Sequence, residues 1–175
     1  MQLLRLGVLP EVYIAHADSD FLPYLVIGAF AGLRTSEIER LEWSDIHAEA
    51  IHVTAGKAKT ASRRIVPVSE NLKAFLLPYR NRDGNVWPSS HNRLSNQQKR
   101  IAKSSQTPWK QNALRHSYAS YRLASVKNEA QVAYELGNSA TVIHRHYKEL
   151  VSENEARSWF SIMPVTATNI IEMQG

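Results

Sequence analysis

Apolar residues along this chain recur mostly at three- and four-residue intervals, and only two short stretches alternate with a period of two, so helices are expected to dominate. The first strong helix runs through Phe21 to Phe30. Ser19 can cap it and Gly32 can end it, and the run Leu25-Val26-Ile27 implies deep burial. Arg34 then falls in a turn. Ser36 and Glu39 have capping-box spacing for a short second helix that carries Ile38 and Leu41 inward. Ile51-His52-Val53 and Arg64-Ile65-Val66-Pro67-Val68 read as two short strands of a hairpin with a lysine near its tip. Leu72, Phe75, Leu76 and Tyr79 return to helical spacing, and Asp83-Gly84-Asn85 marks a turn. Further helices are expected over Asn92 to Lys103 and Gln111 to Ser125, the second placing Leu114, Tyr118 and Tyr121 on related faces. Asn128 and Gly137 suit the cap and stop of another, and Tyr147 ends one more. The amphipathic stretch Glu155 to Phe160 is broken by Pro164. The class is α+β, mainly α-helical, with a small antiparallel β-sheet, in one domain over residues 1–175.

Composition narrows this picture. With 175 residues and 43% hydrophobic content, the chain can bury a proper core. The absence of cysteine excludes disulfides, thiolate chemistry and cysteine-based zinc sites. No apolar run approaches the ~20 residues that span a bilayer, and the first residues lack the features of a signal peptide. A soluble, cytoplasmic protein is therefore expected. Charge is unevenly spread: residues 1–49 carry a net −5 and residues 50–175 a net +10. Between Gly84 and Asn128 there is no acid, but Arg93, Lys99, Arg100, Lys103, Lys110, Arg115, Arg122 and Lys127 are present. Such a surface gains affinity for a polyanion by counterion release. On charge alone, a merely solvated basic surface is equally compatible.

Two arginines and a tyrosine, far apart in sequence, suggest phosphoryl chemistry: Arg34 in Gly32-Leu33-Arg34-Thr35-Ser36-Glu37, Arg115 in Leu114-Arg115-His116-Ser117, and Tyr147 in His144-Arg145-His146-Tyr147. A tyrosine hydroxyl can attack phosphorus and hold it covalently when fixed cations stabilise the charge on the non-bridging oxygens. Guanidinium forks match those oxygens and stay charged. Trp43, Trp109 and Trp159 are expected to pack rather than to stack on bases, and the His-x-His pair at His144 and His146 lacks a third metal ligand.

The segment Gly32 to Ile46 resembles the first-arginine motif of tyrosine recombinases, the phage-integrase family, and three further landmarks follow in that family's order. Lys59, eight residues before Pro67, resembles the hairpin lysine. Arg115 resembles the second arginine, and Tyr147, nine residues after Asn138, resembles the nucleophile. The match covers Ala29 to about Leu150, and residues 151–175 form a C-terminal helix and tail. The resemblance implies a tyrosine-recombinase-like catalytic domain for site-specific recombination or integration of double-stranded DNA. Tyr147 would form a 3′-phosphotyrosine, Arg34 and Arg115 would hold the phosphate, and Lys59, with Lys57 as the fallback, would protonate the leaving 5′-oxygen. No cofactor or metal is called for.

The chain departs from the family pattern at Asn112 and Asn138, where histidine, or histidine or tryptophan, is usual. Asparagine can donate to a phosphate oxygen but cannot exchange a proton near neutral pH. His146 is then the best candidate acceptor for the Tyr147 proton, with His116 and His144 nearby in sequence. Lys57, Arg63, Arg64, Lys110 and Arg122 are candidate DNA contacts. Self-association into a tetrameric synapse on DNA, from a free monomer, is implied, and a tail bearing Ile170 and Ile171 could dock on a neighbouring subunit. The family's N-terminal DNA-binding domain is expected to be absent, leaving a fragment. A weakly active or non-catalytic DNA-binding protein and a type IB topoisomerase are the alternatives.

Overall fold

The computed structural model describes residues 10–54, 56, 63–147 and 151–165. Nine helices and one hairpin are present among them: α1 Pro10–Ile14, α2 Leu22–Phe30, α3 Thr35–Ile38, β1 Ala50–Val53, β2 Arg64–Pro67, α4 Glu70–Leu76, α5 His91–Ser104, α6 Ala113–Val126, α7 Glu129–Leu136, α8 Ala140–Tyr147 and α9 Glu153–Phe160. Short 3₁₀ turns cover Trp43–Asp45 and Leu77–Tyr79. The molecule is thus mainly helical with a two-stranded antiparallel sheet, as the residue pattern predicts. Among the described residues, no helix is long and apolar enough to cross a membrane.

Helix α2 is the centre of the molecule because it has no polar face: Pro23 through Phe30 are all buried. α1, α3, α4 and α6 pack around it. Its start differs from expectation. Asp18, not Ser19, supplies the acceptor, taking the Phe21 N–H at 2.9 Å, since an acceptor three residues upstream is the one that reaches an orphan amide. The cap of α3 is also displaced by two residues from the Ser36/Glu39 reading. Arg34 is the N-cap, extended at φ −70°, ψ 151°, and the Glu37 carboxylate takes its backbone N–H at 2.8 Å.

The hairpin pairs Ala50 with Pro67, Ile51 with Val66, His52 with Ile65 and Val53 with Arg64. Ile51, Val53, Arg64 and Val66 face inward, whereas His52 and Ile65 face out. Its connecting loop, including Lys57 and Lys59, lies outside the described residues except for Thr54, Gly56 and Arg63.

The C-terminal half reads closely to expectation. Asn128 caps α7 by accepting the Gln131 N–H at 3.0 Å, and Gly137 ends it in the left-handed conformation. Ser152 and Glu155 form the capping box of α9. One buried cluster surrounds α2. A second joins α6, α7 and α8 through Tyr118, Ala119, Leu123, Val132, Ala133, Leu136 and Ile143. The tryptophans pack: Trp159 stacks on Tyr121 at 4.2 Å and donates to the Ala29 carbonyl at 3.2 Å, Trp109 stacks on Tyr13 at 4.8 Å, and Trp43 stacks on Tyr79 at 5.8 Å.

Candidate active site

The turn after α2 begins the site. Gly32 sits at φ +65°, and a Cβ there would stand 2.3 Å from Tyr118 Cδ1, so only glycine lets the backbone pass this close to α6. Its carbonyl accepts Arg115 Nη1 at 2.6 Å. Arg115 rises from the first turn of α6 and is 7% exposed. Its second nitrogen, Nη2, donates to the Leu136 carbonyl at 2.6 Å and to Asn138 Oδ1 at 3.2 Å. These carbonyls at the ends of α2 and α7 hold the guanidinium plane.

Arg34 arrives from the start of α3. Its Nη2 donates to Asn138 Oδ1 at 2.8 Å and to the Gly137 carbonyl at 3.1 Å. Two guanidinium groups therefore share one amide oxygen, which fixes the orientation of the Asn138 amide, because a guanidinium has no acceptor to offer an NH₂. Asn138 Nδ2 makes no hydrogen bond with the described residues. The structure thus brings together Arg34 from the start of α3, Arg115 from α6 and Asn138 on the turn that leads into α8, at whose end Tyr147 lies. The side chains of Tyr147 and His146 lie outside the described residues.

Asn112 is the N-cap of α6, in a left-handed conformation at φ 58°, and is exposed. Lys110 and Arg63 are exposed. His116 is exposed while its neighbour Arg115 is buried, the opposed directions expected of adjacent helical positions. His144 is held by the Glu129 carboxylate through Nδ1 at 2.9 Å.

Two candidate DNA contacts are engaged by carboxylates of the fold. Arg64 is 3% exposed and cannot reach a ligand outside the fold. Its fork meets Glu37 through Nη1 at 3.0 Å and Nη2 at 2.7 Å, and its Nε donates to the Glu135 carbonyl at 2.8 Å. Arg122 is half-buried, with Nε at 2.9 Å and Nη2 at 2.8 Å from the Glu135 carboxylate. Both sit on carboxylates because a guanidinium withdrawn from water needs a counter-charge.

The pairing of Arg64 with Glu37 and of Arg122 with Glu135 is what residue pattern alone misses. Glu37 is fully buried and takes hydrogen bonds from the Arg34 N–H, Arg34 Nη1 and both Arg64 nitrogens. Burial by itself would push its carboxyl up. The Arg64 hydrogen bonds, the Arg34 backbone bond and both guanidinium charges outweigh this and hold it below its ordinary value. Glu135 accepts from Tyr118 Oη at 2.9 Å, Arg122 and Gln131. Burial first, then the Glu135 charge, raises the Tyr118 phenol well above its ordinary value, so it stays protonated as a donor. A signal for Arg64 does exist in the sequence: it shares strand parity with Val66 and Val68, both buried.

No protein-family model and no curated protein sequence matches the chain. Solved structures do. The XerA recombinase structure superposes over 87% of this chain and 61% of its own, at 20% identity and TM-score 0.65. The catalytic domain of bacteriophage HP1 integrase superposes over 87% of this chain and 90% of its own, at 23% identity and TM-score 0.62. XerH site-specific recombinase, in a post-cleavage complex with a palindromic difH substrate, superposes over 87% of this chain and 51% of its own, at 19% identity and TM-score 0.60. The chain has the fold of the tyrosine-recombinase catalytic domain. It spans 61% of the XerA chain and nearly the whole of the HP1 catalytic domain.

Proposed function

We propose that this chain cuts and rejoins DNA strands in site-specific recombination or integration, through a 3′-phosphotyrosine on Tyr147. The observation that carries this reading is the convergence of Arg34 and Arg115 on Asn138 Oδ1, at 2.8 and 3.2 Å. Two permanent cations from distant parts of the chain are held together, at the turn that begins the helix ending on Tyr147. Like charges are brought this close at a cost, which a bound phosphate would repay. In the proposed step, the Tyr147 oxygen bonds to phosphorus as the bond from phosphorus to the 5′-oxygen breaks. The phenolic proton passes to His146, and Lys59 protonates the departing oxygen. Arg34, Arg115 and the Asn138 amide N–H donors hold the non-bridging oxygens. Arg63, Lys110, Lys57 and the basic stretch around α5 would follow the backbone of double-stranded DNA, with assembly into a tetrameric synapse there.

The test is recovery of a covalent adduct. The chain is incubated with a pool of nicked duplexes carrying a randomised segment, and DNA surviving denaturation with protein is recovered and sequenced. The expected result is an adduct that disappears in Tyr147→Phe. DNA retention without any adduct would support binding alone, and relaxation of supercoiled plasmid without sequence preference would support topoisomerase activity.

A further inference from the structure

Glu37 poses an electrostatic problem for any role of Arg34 in holding phosphate. It is fully buried, and its Oε1 takes Arg34 Nη1 at 3.1 Å. A lone carboxylate in that place would cancel the Arg34 charge. Arg64 spans both oxygens of the same carboxylate, with the shorter of the ion pairs at 2.7 Å. We propose that Arg64 is a positioning residue that takes up the charge of Glu37, so that Arg34 presents its positive charge to an incoming phosphate. This rests on the reading of Arg34 as a phosphate-holding group.

Three observations support the assignment. The two oxygens of Glu37 meet the two terminal nitrogens of Arg64, at 3.0 and 2.7 Å, the bidentate geometry in which a guanidinium neutralises a carboxylate most completely. Arg34 contributes one side-chain nitrogen to Glu37 and turns the other toward Asn138 and the Gly137 carbonyl. Their exposures differ accordingly: the Arg64 side chain is 2% exposed and the Arg34 side chain 18%. The trio therefore keeps one net positive charge, carried by the member that solvent can reach.

Arg64 also ties separate pieces of the site into one frame. It stands at the start of β2, directly after the hairpin loop that contains Lys59. Its Nε bonds the Glu135 carbonyl near the end of α7. The next turn carries Gly137, where a Cβ would lie 3.3 Å from Arg64 Nη1, so the guanidinium rests against the backbone that leads to Asn138. One side chain thus links the hairpin, the Arg34 turn and the approach to α8.

The experiment uses inorganic phosphate as the probe, titrated into the chain and followed by side-chain N–H resonances of arginine, with far-UV circular dichroism as a folding control. Arg64→Met is expected to weaken phosphate binding about tenfold, as for loss of one elementary charge in a partly buried site. Adding Glu37→Gln to Arg64→Met removes the uncompensated carboxylate and should restore affinity to within about threefold of the parent. A residue that only supports the fold would not be rescued by removing a second side chain. Arg64→Lys, which keeps the charge and loses the fork, should bind more weakly than the parent but by less than about tenfold. The proposal is overturned by a parent that binds no phosphate, by Arg64→Met binding as the parent does, or by a folded double variant without rescue. Should Arg64→Met fail to fold, a folded Arg64→Lys with tenfold weaker binding overturns it as well. Phosphate binding that follows the expected pattern in a chain that forms no DNA adduct would refute the proposed catalysis while leaving this assignment standing.

Discussion

Replacing Gly32 with alanine perturbs the turn on which Arg115 depends, and its cost can be worked from two separable terms. At φ +65°, a left-handed L-residue costs roughly 1–2 kcal/mol. The added Cβ would stand 2.3 Å from Tyr118 Cδ1 and 2.9 Å from Leu136 Cδ2, both on buried side chains, and overpacking of this kind adds about 1–3 kcal/mol. The expected loss is roughly 2–5 kcal/mol, a large share of the ~5–15 kcal/mol that holds a domain folded. Gly84 provides the control. It has φ +74° and nothing within 4 Å of an added Cβ, so Gly84→Ala should lose about 1–2 kcal/mol from the backbone alone. Urea unfolding of the parent and both variants, followed by circular dichroism at constant slope, reads the difference directly. Equal losses in the two variants would refute the argument that close approach to α6 selects glycine at position 32. Because the Gly32 carbonyl accepts Arg115 Nη1, Gly32→Ala should also weaken phosphate binding, and Gly84→Ala should not.

Asn138→Asp places a carboxylate between Arg34 and Arg115. Ionic hydrogen bonds exceed neutral ones by about 1 kcal/mol, so the variant should unfold at higher urea yet bind inorganic phosphate far more weakly; unchanged phosphate affinity would contradict the site's charge assignment. Glu37 titrates below its ordinary value of 4.5 when folded, so the stability it contributes is complete above that pH and is lost as pH falls through the lower folded value. Glu37→Gln, less stable than the parent near neutrality through the unpaired Arg64, should show a flatter decline in urea midpoint on acidification, and a decline parallel to the parent's would exclude Glu37 as a source. Trp159→Ala should lose about 3–5 kcal/mol, since the ring stacks on Tyr121 and its Nε1 bonds the Ala29 carbonyl; a change under 1 kcal/mol in thermal or urea unfolding would show that α9 is not integral to the core.

Legibility followed the range of the forces involved. Asn128 and Gly137 were readable as cap and stop because both act within one helical turn, and the strands were readable from alternation across four residues. Ser19 and Ser36 misled for the same local reason: Asp18 and Glu37 offer competing acceptors within reach of the same helix starts. Arg64 looked like a surface cation beside Arg63, since charge in a loop-flanking pair gives no hint of burial. Its parity with Val66 marked the inward face, but nothing local marked Glu37 as its partner.

The residue pattern by itself determined the mainly helical class, the hairpin and the candidate phosphate-holding arginines, because periodicity and residue chemistry are written along the chain. Only the tertiary structure decided that Arg34 and Arg115 share Asn138, that Arg64 neutralises Glu37, and that Arg122 is bound to Glu135. The physical reason is desolvation. A charge removed from water must find its partner among residues that folding brings near, and that choice is made in space, across separations no local pattern records.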